Sequence, residues 1–162
     1  KLHWAIHRHT AAELIAERAK AELPHMGLAT WKNTPGGKVL KSDVTVAKNY
    51  LNVEEIAELD RIVDMYLDYA ENQAKRGITM YMKDWAGKLD AFLQFNDYDV
   101  LKNAGQVSHD VAVQLAEGEY EKFRVRQDRD YISDFDKEVK RLTGKRPAEQ
   151  VVPQKKSPKK KP

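Results

Sequence analysis

Between Asn52 and Arg76 the apolar residues Val53, Ile56, Leu59, Ile62, Val63, Tyr66, Leu67 and Ala70 recur at steps of three and four. That spacing gathers them on one side of an α-helix and on neither face of a strand. Asn52 followed three residues later by Glu55 is the capping pattern that opens such a helix, and Gly77 is a natural stop. The same grammar predicts further helices. Thr10 with Glu13 starts one ahead of Leu14, Ile15 and Ala19, and Pro24 ends it. Residues 24–41 then form a long connection, rich in Pro and Gly, of the kind that is often functional. Ser42 opens a short helix over Asp43 to Leu51. Thr79 begins another that runs to Phe95, with Met82, Trp85, Leu89, Phe92 and Leu93 on one side and a break at Asn96-Asp97. One turn over Val100 to Ala104 precedes Gly105. Ser108 caps a long final helix whose stripe is Val111, Leu115, Phe123, Tyr131/Ile132, Phe135, Val139 and Leu142. Gly118 and the charged stretch Arg124 to Asp130 interrupt that stripe, which predicts a helix that leaves the body or pairs with another chain. No segment sustains a period of two. The expected fold class is therefore all-α: a compact multi-helix domain over 1–143, with a long C-terminal helix, then a disordered basic tail over 144–162.

At 162 residues the chain is long enough to bury a core without disulfides or metals. It contains no Cys, which removes thiol nucleophiles, disulfide scaffolds and Cys-based metal or cluster sites. No apolar run reaches the roughly 18–20 residues that span a bilayer, so no membrane contact is expected. The formal charge of +3 is unevenly spread, because the segment from Lys145 onward has seven basic residues and one acid while residues 1–144 carry a net −3. The chain begins at Lys1 inside an amphipathic pattern (Leu2, Trp4, Ile6) with no signal-peptide regions. The expectation is a cytoplasmic fragment that lacks an upstream part.

Several residue sets offer chemistry. His3, His7 and His9 are spaced so that the first two share a helix face, the geometry by which two imidazoles reach one metal. The glutamate of the H-E-x-x-H pattern is missing, and these positions read as ordinary polar sites of a first helix. Asp60, Asp64, Asp68 and Glu71 line one face and read as a solvated surface, with Tyr66 and Tyr69 able to bring Asp68 and Glu71 beside a partly buried patch. Trp31 among Lys32, Lys38 and Lys41 can stack on a base, or can fold back over the core. Gly36-Gly37-Lys38 does not complete a phosphate loop, since Val39 follows the lysine. Residues 100–114 have the outline of a helix-turn-helix, but the second helix has no Lys or Arg before Lys122, a poor match to the charge of DNA. Lys155, Lys156, Lys159, Lys160 and Lys161 make the tail a flexible cation suited to nonspecific nucleic-acid contact. No metal and no cofactor are expected.

The runs LHWAIHRHTAAELIAERA, MGLATWKN, SDVTVAKNYLNVEEIAELDRIVDMYLDYAENQA and DWAGKLDAFLQFNDYDVLKNAGQVSHDVA resemble the virulence RhuM family of bacteria over about residues 2–135. The resemblance implies a helical C-terminal region that follows a DNA-binding domain of phage-antirepressor or winged-helix type, encoded on mobile elements. Positions that match the family's blocks are His3, Trp4, His7, His9, Thr10, Glu13 and Arg18, then Trp31, Lys32, Asp43, Lys48, Asn49 and Tyr50. Asp68, Tyr69, Glu71, Trp85, Lys88, Asp90, Phe95 and Asn96 complete the set. In the relatives a small residue separates the two histidines that correspond to His7 and His9; here it is Arg8. The resemblance implies a candidate polar cluster of His7, His9, Thr10, Glu13, Arg18, Trp31, Lys48, Asn49, Tyr50, Asp68 and Glu71, where the first, third and fourth predicted helices meet. Such a cluster serves either as a buried network that sets helix register or as a phosphate- or nucleotide-handling site. Two functions follow: an oligomerisation or partner-binding module attached to a DNA-binding domain, or a toxin-like enzyme acting on nucleotides or nucleic acid. The expected partners are a protein or a second copy of the chain, with nucleic acid met through the tail or the upstream domain.

Overall fold

The computed structural model describes residues 1–143, and among them helix is the sole regular structure, with no strand. The helices are α1 (Leu2–His7), α2 (Ala11–Arg18), α3 (Val53–Lys75), α4 (Met82–Phe95), α5 (His109–Asp130) and α6 (Asp134–Thr143), with short 3-10 turns at Pro24–Gly27 and Ala47–Tyr50. The all-α expectation and the long helix near the C-terminus are met. The tail, including Lys155, Lys156, Lys159, Lys160 and Lys161, lies outside the described residues. The chain divides into two compact units, Lys1–Arg129 and Asp130–Pro162. The described part of the second unit consists of the stretch before α6 and α6 itself, which Ser133 caps by accepting from the Asp136 N–H at 3.1 Å.

Capping chemistry set the starts of α2 and α3 as anticipated. Thr10 Oγ1 accepts from the Glu13 N–H at 3.2 Å while Glu13 Oε2 accepts from the Thr10 N–H at 2.7 Å. Asn52 and Glu55 repeat the exchange, at 2.9 Å in both directions. Gly77, at φ +67°, takes the left-handed turn that ends α3 without a Cβ to strain.

Elsewhere tertiary contacts overrode the local reading. The helix expected from Thr10 to Pro24 ends at Arg18, because α5 takes up the next backbone groups: Glu119 Oε2 accepts from the Ala21 N–H at 2.8 Å, and Arg126 donates to the Ala21 carbonyl at 2.5 Å. That turn drives Met26 fully into the core even though Met26 and its neighbour His25 both adopt positive φ. No helix covers Asp43–Leu51 apart from the 3-10 turn, since the Asp43 carboxylate is spent on the Leu40 N–H at 2.8 Å and the Lys32 N–H at 3.3 Å. Helix α4 begins at Met82 rather than Thr79, where Asp84 reaches back to the Tyr81 N–H at 3.0 Å. Val100 to Ala104 form no helical turn, which also removes the first half of the helix-turn-helix outline. The final helix is divided at residues 131–133.

Two cores result. The larger joins α2, the 24–51 connection, the start of α3 and α5 through Leu14, Ile15, Met26, Leu28, Trp31, Val39, Val44, Leu51, Leu59, Ala112, Ala116, Tyr120 and Phe123. The smaller joins α1, α3 and α4 through Ala5, Ile62 and Leu93, with Leu89, Phe92, Tyr98 and Val100 partly buried against it. Helix α5 buries Phe123 as expected, but otherwise a different face. Its alanines at 112 and 116 allow close approach, Tyr120 and Phe123 fill the space beyond, and Val111 and Leu115 are left facing water, 48% and 51% exposed.

Candidate functional site

The centre of the polar cluster is the pair Arg18–Glu55, contributed by the last turn of α2 and the first turn of α3. Arg18 grips the carboxylate with both terminal nitrogens, at 2.7 and 2.6 Å, and donates at 2.8 Å to the Tyr50 carbonyl. Glu55 thus closes the cap of α3 and anchors α2 in one side chain. The forked hydrogen bond from Arg18 holds its pKa down at about 2, and the same bond raises that of Arg18.

His7 lies within the electrostatic reach of this pair. Burial first, then His3 and other nearby cations, push its pKa down to about 4, so it is neutral near pH 7. Its Nε2 stands 3.3 Å from Nδ1 of His3, and its own Nδ1 is buried without a hydrogen-bond partner. A proton left on a buried, unpartnered nitrogen is costly, so the favoured tautomer carries it on Nε2 and donates to His3. Metal ligation through that Nε2 would force the proton onto the orphaned Nδ1, and among the described residues no set of three His, Asp or Glu converges as a metal site. The His9 ring stacks on that of His7 with centroids 5.9 Å apart, but its nitrogens are spent elsewhere, Nδ1 donating to the His7 carbonyl at 2.7 Å and Nε2 facing Glu17 at 3.2 Å.

Arg8 separates the two histidines in a left-handed conformation, φ 63° and ψ 18°, as the C-cap of α1. Glycine occupies that region freely, so a glycine would fit this backbone better than Arg8 does. Arg8 offsets the cost with an exposed ion pair to Asp99.

The remaining candidates fall into separate groups. Thr10 and Glu13 cap α2, and Glu13 Oε1 also accepts from the Gln106 N–H at 2.6 Å, pinning the 98–107 segment there. Gly105 allows that approach: at φ +83°, a Cβ on it would lie 2.7 Å from Thr10 Cγ2. Trp31, Asn49 and Tyr50 knit the connection together. Trp31 is buried, donates to the Gly37 carbonyl at 2.9 Å and stacks on His25 with centroids 4.4 Å apart. Asn49 donates to the Asp43 carbonyl at 2.9 Å, and the Tyr50 hydroxyl to the Val44 carbonyl at 2.8 Å. Lys48, Asp68 and Glu71 lie on the outside. Lys48 meets Asp60 at 3.2 Å and Glu71 meets Lys75 at 2.7 Å. Asp68 sits thirteen residues beyond Glu55, about 20 Å along the helix. Tyr66 and Tyr69 do reach a partly buried patch, where both meet Trp85 edge-on, and the Tyr66 hydroxyl donates to the Trp85 carbonyl at 2.8 Å.

Sequence reasoning missed Glu55 as the partner of Arg18 and Asp43 as a buried organiser of the connection. Glu55 was visible only as a cap; a pairing across 37 positions leaves no local trace. It also missed an open groove of about 390 Å³ lined by Trp4, Gln94 and the Tyr98–Asn103 run. None of the eleven cluster residues lines it.

A helical domain with two adjoining cores and a polar network tied off largely on itself is the class that fold and site define. The virulence protein RhuM family model matches residues 1–131, and the chain belongs to that family. Neither the curated proteins nor the solved structures contain a match. No described helix is long and apolar enough to cross a membrane.

Proposed function

We propose that this domain is a self-association module, with α5 as the contact helix. The observation that carries the reading is the solvent-facing stripe Val111, Leu115, Gly118, Lys122, Val125. It steps by four and three residues, the repeat with which helices pair, and Val125 is 71% exposed. Its two edges differ in charge, with Glu121 and Asp128 on one and Arg126, preceded by Glu119, on the other. Two copies laid parallel bring unlike edges together, and the lysine within the seam sets register at some cost in stability. The occupant is therefore a second copy of this chain, which suits a module that would pair two attached DNA-binding domains on a two-fold site. In one respect the polar candidates favour this reading over a nucleotide-processing enzyme. Thr10, Glu13, Arg18, Asn49 and Tyr50 are engaged with backbone or with Glu55, whereas Lys48, Asp68 and Glu71 lie apart on the outside. None of the polar candidates lines the open groove.

Sedimentation velocity over a wide concentration range tests it. A concentration-dependent dimer is expected, and Leu115→Glu with Val125→Glu returns a monomer with an unchanged helical circular dichroism spectrum. A wild-type chain that stays monomeric throughout overturns the reading.

A further inference from the structure

The segment after α4 has an unusual property. Among the described residues, none of the backbone N–H or carbonyl groups from Asp99 to Ala104 has a hydrogen-bond partner. The segment also runs from Tyr98 to Lys102 without turn or bend. It is held at both ends, by the Tyr98 N–H on the Leu93 carbonyl at 2.9 Å with the Tyr98 hydroxyl on Glu58, and by the Gln106 N–H on Glu13 at 2.6 Å. A straight, anchored row of open donors and acceptors is what an extended peptide pairs with. This row lines the groove of about 390 Å³ together with Gln94 and half-buried Trp4, and the groove's volume is in the range of small-ligand sites.

We propose that this groove binds an extended peptide segment of a partner protein through main-chain pairing with Asp99–Asn103, taking an apolar side chain against Trp4 and an acidic one at Lys102. The charge preference comes from the groove's two ionic residues: Asp99 is held by Arg8, whereas exposed Lys102 has no ion-pair partner among the described residues. The chain's own Lys/Pro-rich end is the wrong occupant, because its lysines would face Lys102 and its prolines lack the N–H that pairing requires. The groove and the α5 stripe share no residue, so the two readings stand or fall separately.

A display library of random peptides, panned against the full chain, is the probe. Enriched sequences are expected to be proline-poor and to combine an acidic with an apolar residue. The best of them, synthesised, should quench Trp4 fluorescence saturably and shift the amide resonances of Asp99–Asn103. Methylating alternate backbone nitrogens of that peptide should weaken binding at least tenfold, because each methyl deletes a main-chain donor. Lys102→Glu, at an exposed position, should invert the charge preference of the library. The same measurements on the Leu115→Glu, Val125→Glu chain should give the same affinity, which separates this site from self-association. No enrichment, amide shifts elsewhere, or equal binding of the methylated peptide overturns the proposal.

Discussion

The two cores are built by different means. Around Leu14 and Ile15 the apolar interior is enclosed by polar ties, with Arg18–Glu55, Asp43, Asn49, Glu119 and Arg126 each fixing backbone or charge contributed by another segment. Around Ile62 and Leu93 three helices meet with few such ties, mainly Tyr66 on the Trp85 carbonyl and Lys1 on Asp90 at 2.6 Å. The helices there also leave Met82 and Phe95 almost fully exposed. The lesson is that irregular chain needs side-chain hydrogen bonds to satisfy its backbone, whereas helices satisfy their own and can pack with apolar contacts alone.

Substitutions in the two cores test that contrast. Leu14→Ala and Leu93→Ala each empty a fully buried site. The first should cost about 4 kcal/mol in chemical denaturation and the second about 2–3 kcal/mol, because the smaller core has fewer fixed walls and can collapse onto the gap. Equal losses would mean that the cores are equally rigid. Arg18→Ala should cost about 2–3 kcal/mol, since it strands Glu55 and the Tyr50 carbonyl together, and Arg18→Lys should recover only part because it cannot fork. Thr10→Ala should cost about 1–2 kcal/mol in the same measurement.

Acid should act on the Arg18–Glu55 region in two stages, read as melting temperature against pH. His7 binds its proton near 6.5 when unfolded and near 4 when folded, so its contribution is complete above 6.5 and fades as pH falls toward 4. Glu55, held near 2 against 4.5 when free, adds stability that is present above 4.5 and fades as pH falls toward 2. His7→Gln should flatten the first stage and leave the second. The smallest effect concerns the turn after α1. Arg8→Gly should change stability by less than about 1 kcal/mol, as relief of the left-handed strain offsets the lost surface pair, while Arg8→Val should lower it by about 1–2 kcal/mol.

How much of this was legible in the sequence differs from residue to residue. Thr10–Glu13 and Asn52–Glu55 were readable because a cap is a contact between residues three apart. The 3,4 stripe of α3 predicted its limits within a residue for the same reason: a helix of that length stabilises itself locally before it meets anything else. The polar cluster was only half legible. Its members near α2 and the connection are indeed engaged in the structure, yet Asp68 and Glu71 lie on the outer surface, and Glu55 and Asp43 were not among them.

By itself, then, the sequence determined the helical class, the two well-capped starts, the stop at Gly77 and the membership of the RhuM family. All of these depend on neighbours within a turn or two, or on the order of residues alone. The tertiary structure decided where α2 ends, which face of α5 is buried, how Arg18 finds Glu55, and that a groove opens beside a segment of unpaired backbone. Each of these joins segments tens of residues apart, and such a contact forms only where the burial and pairing it brings exceed the entropy of closing the loop between them.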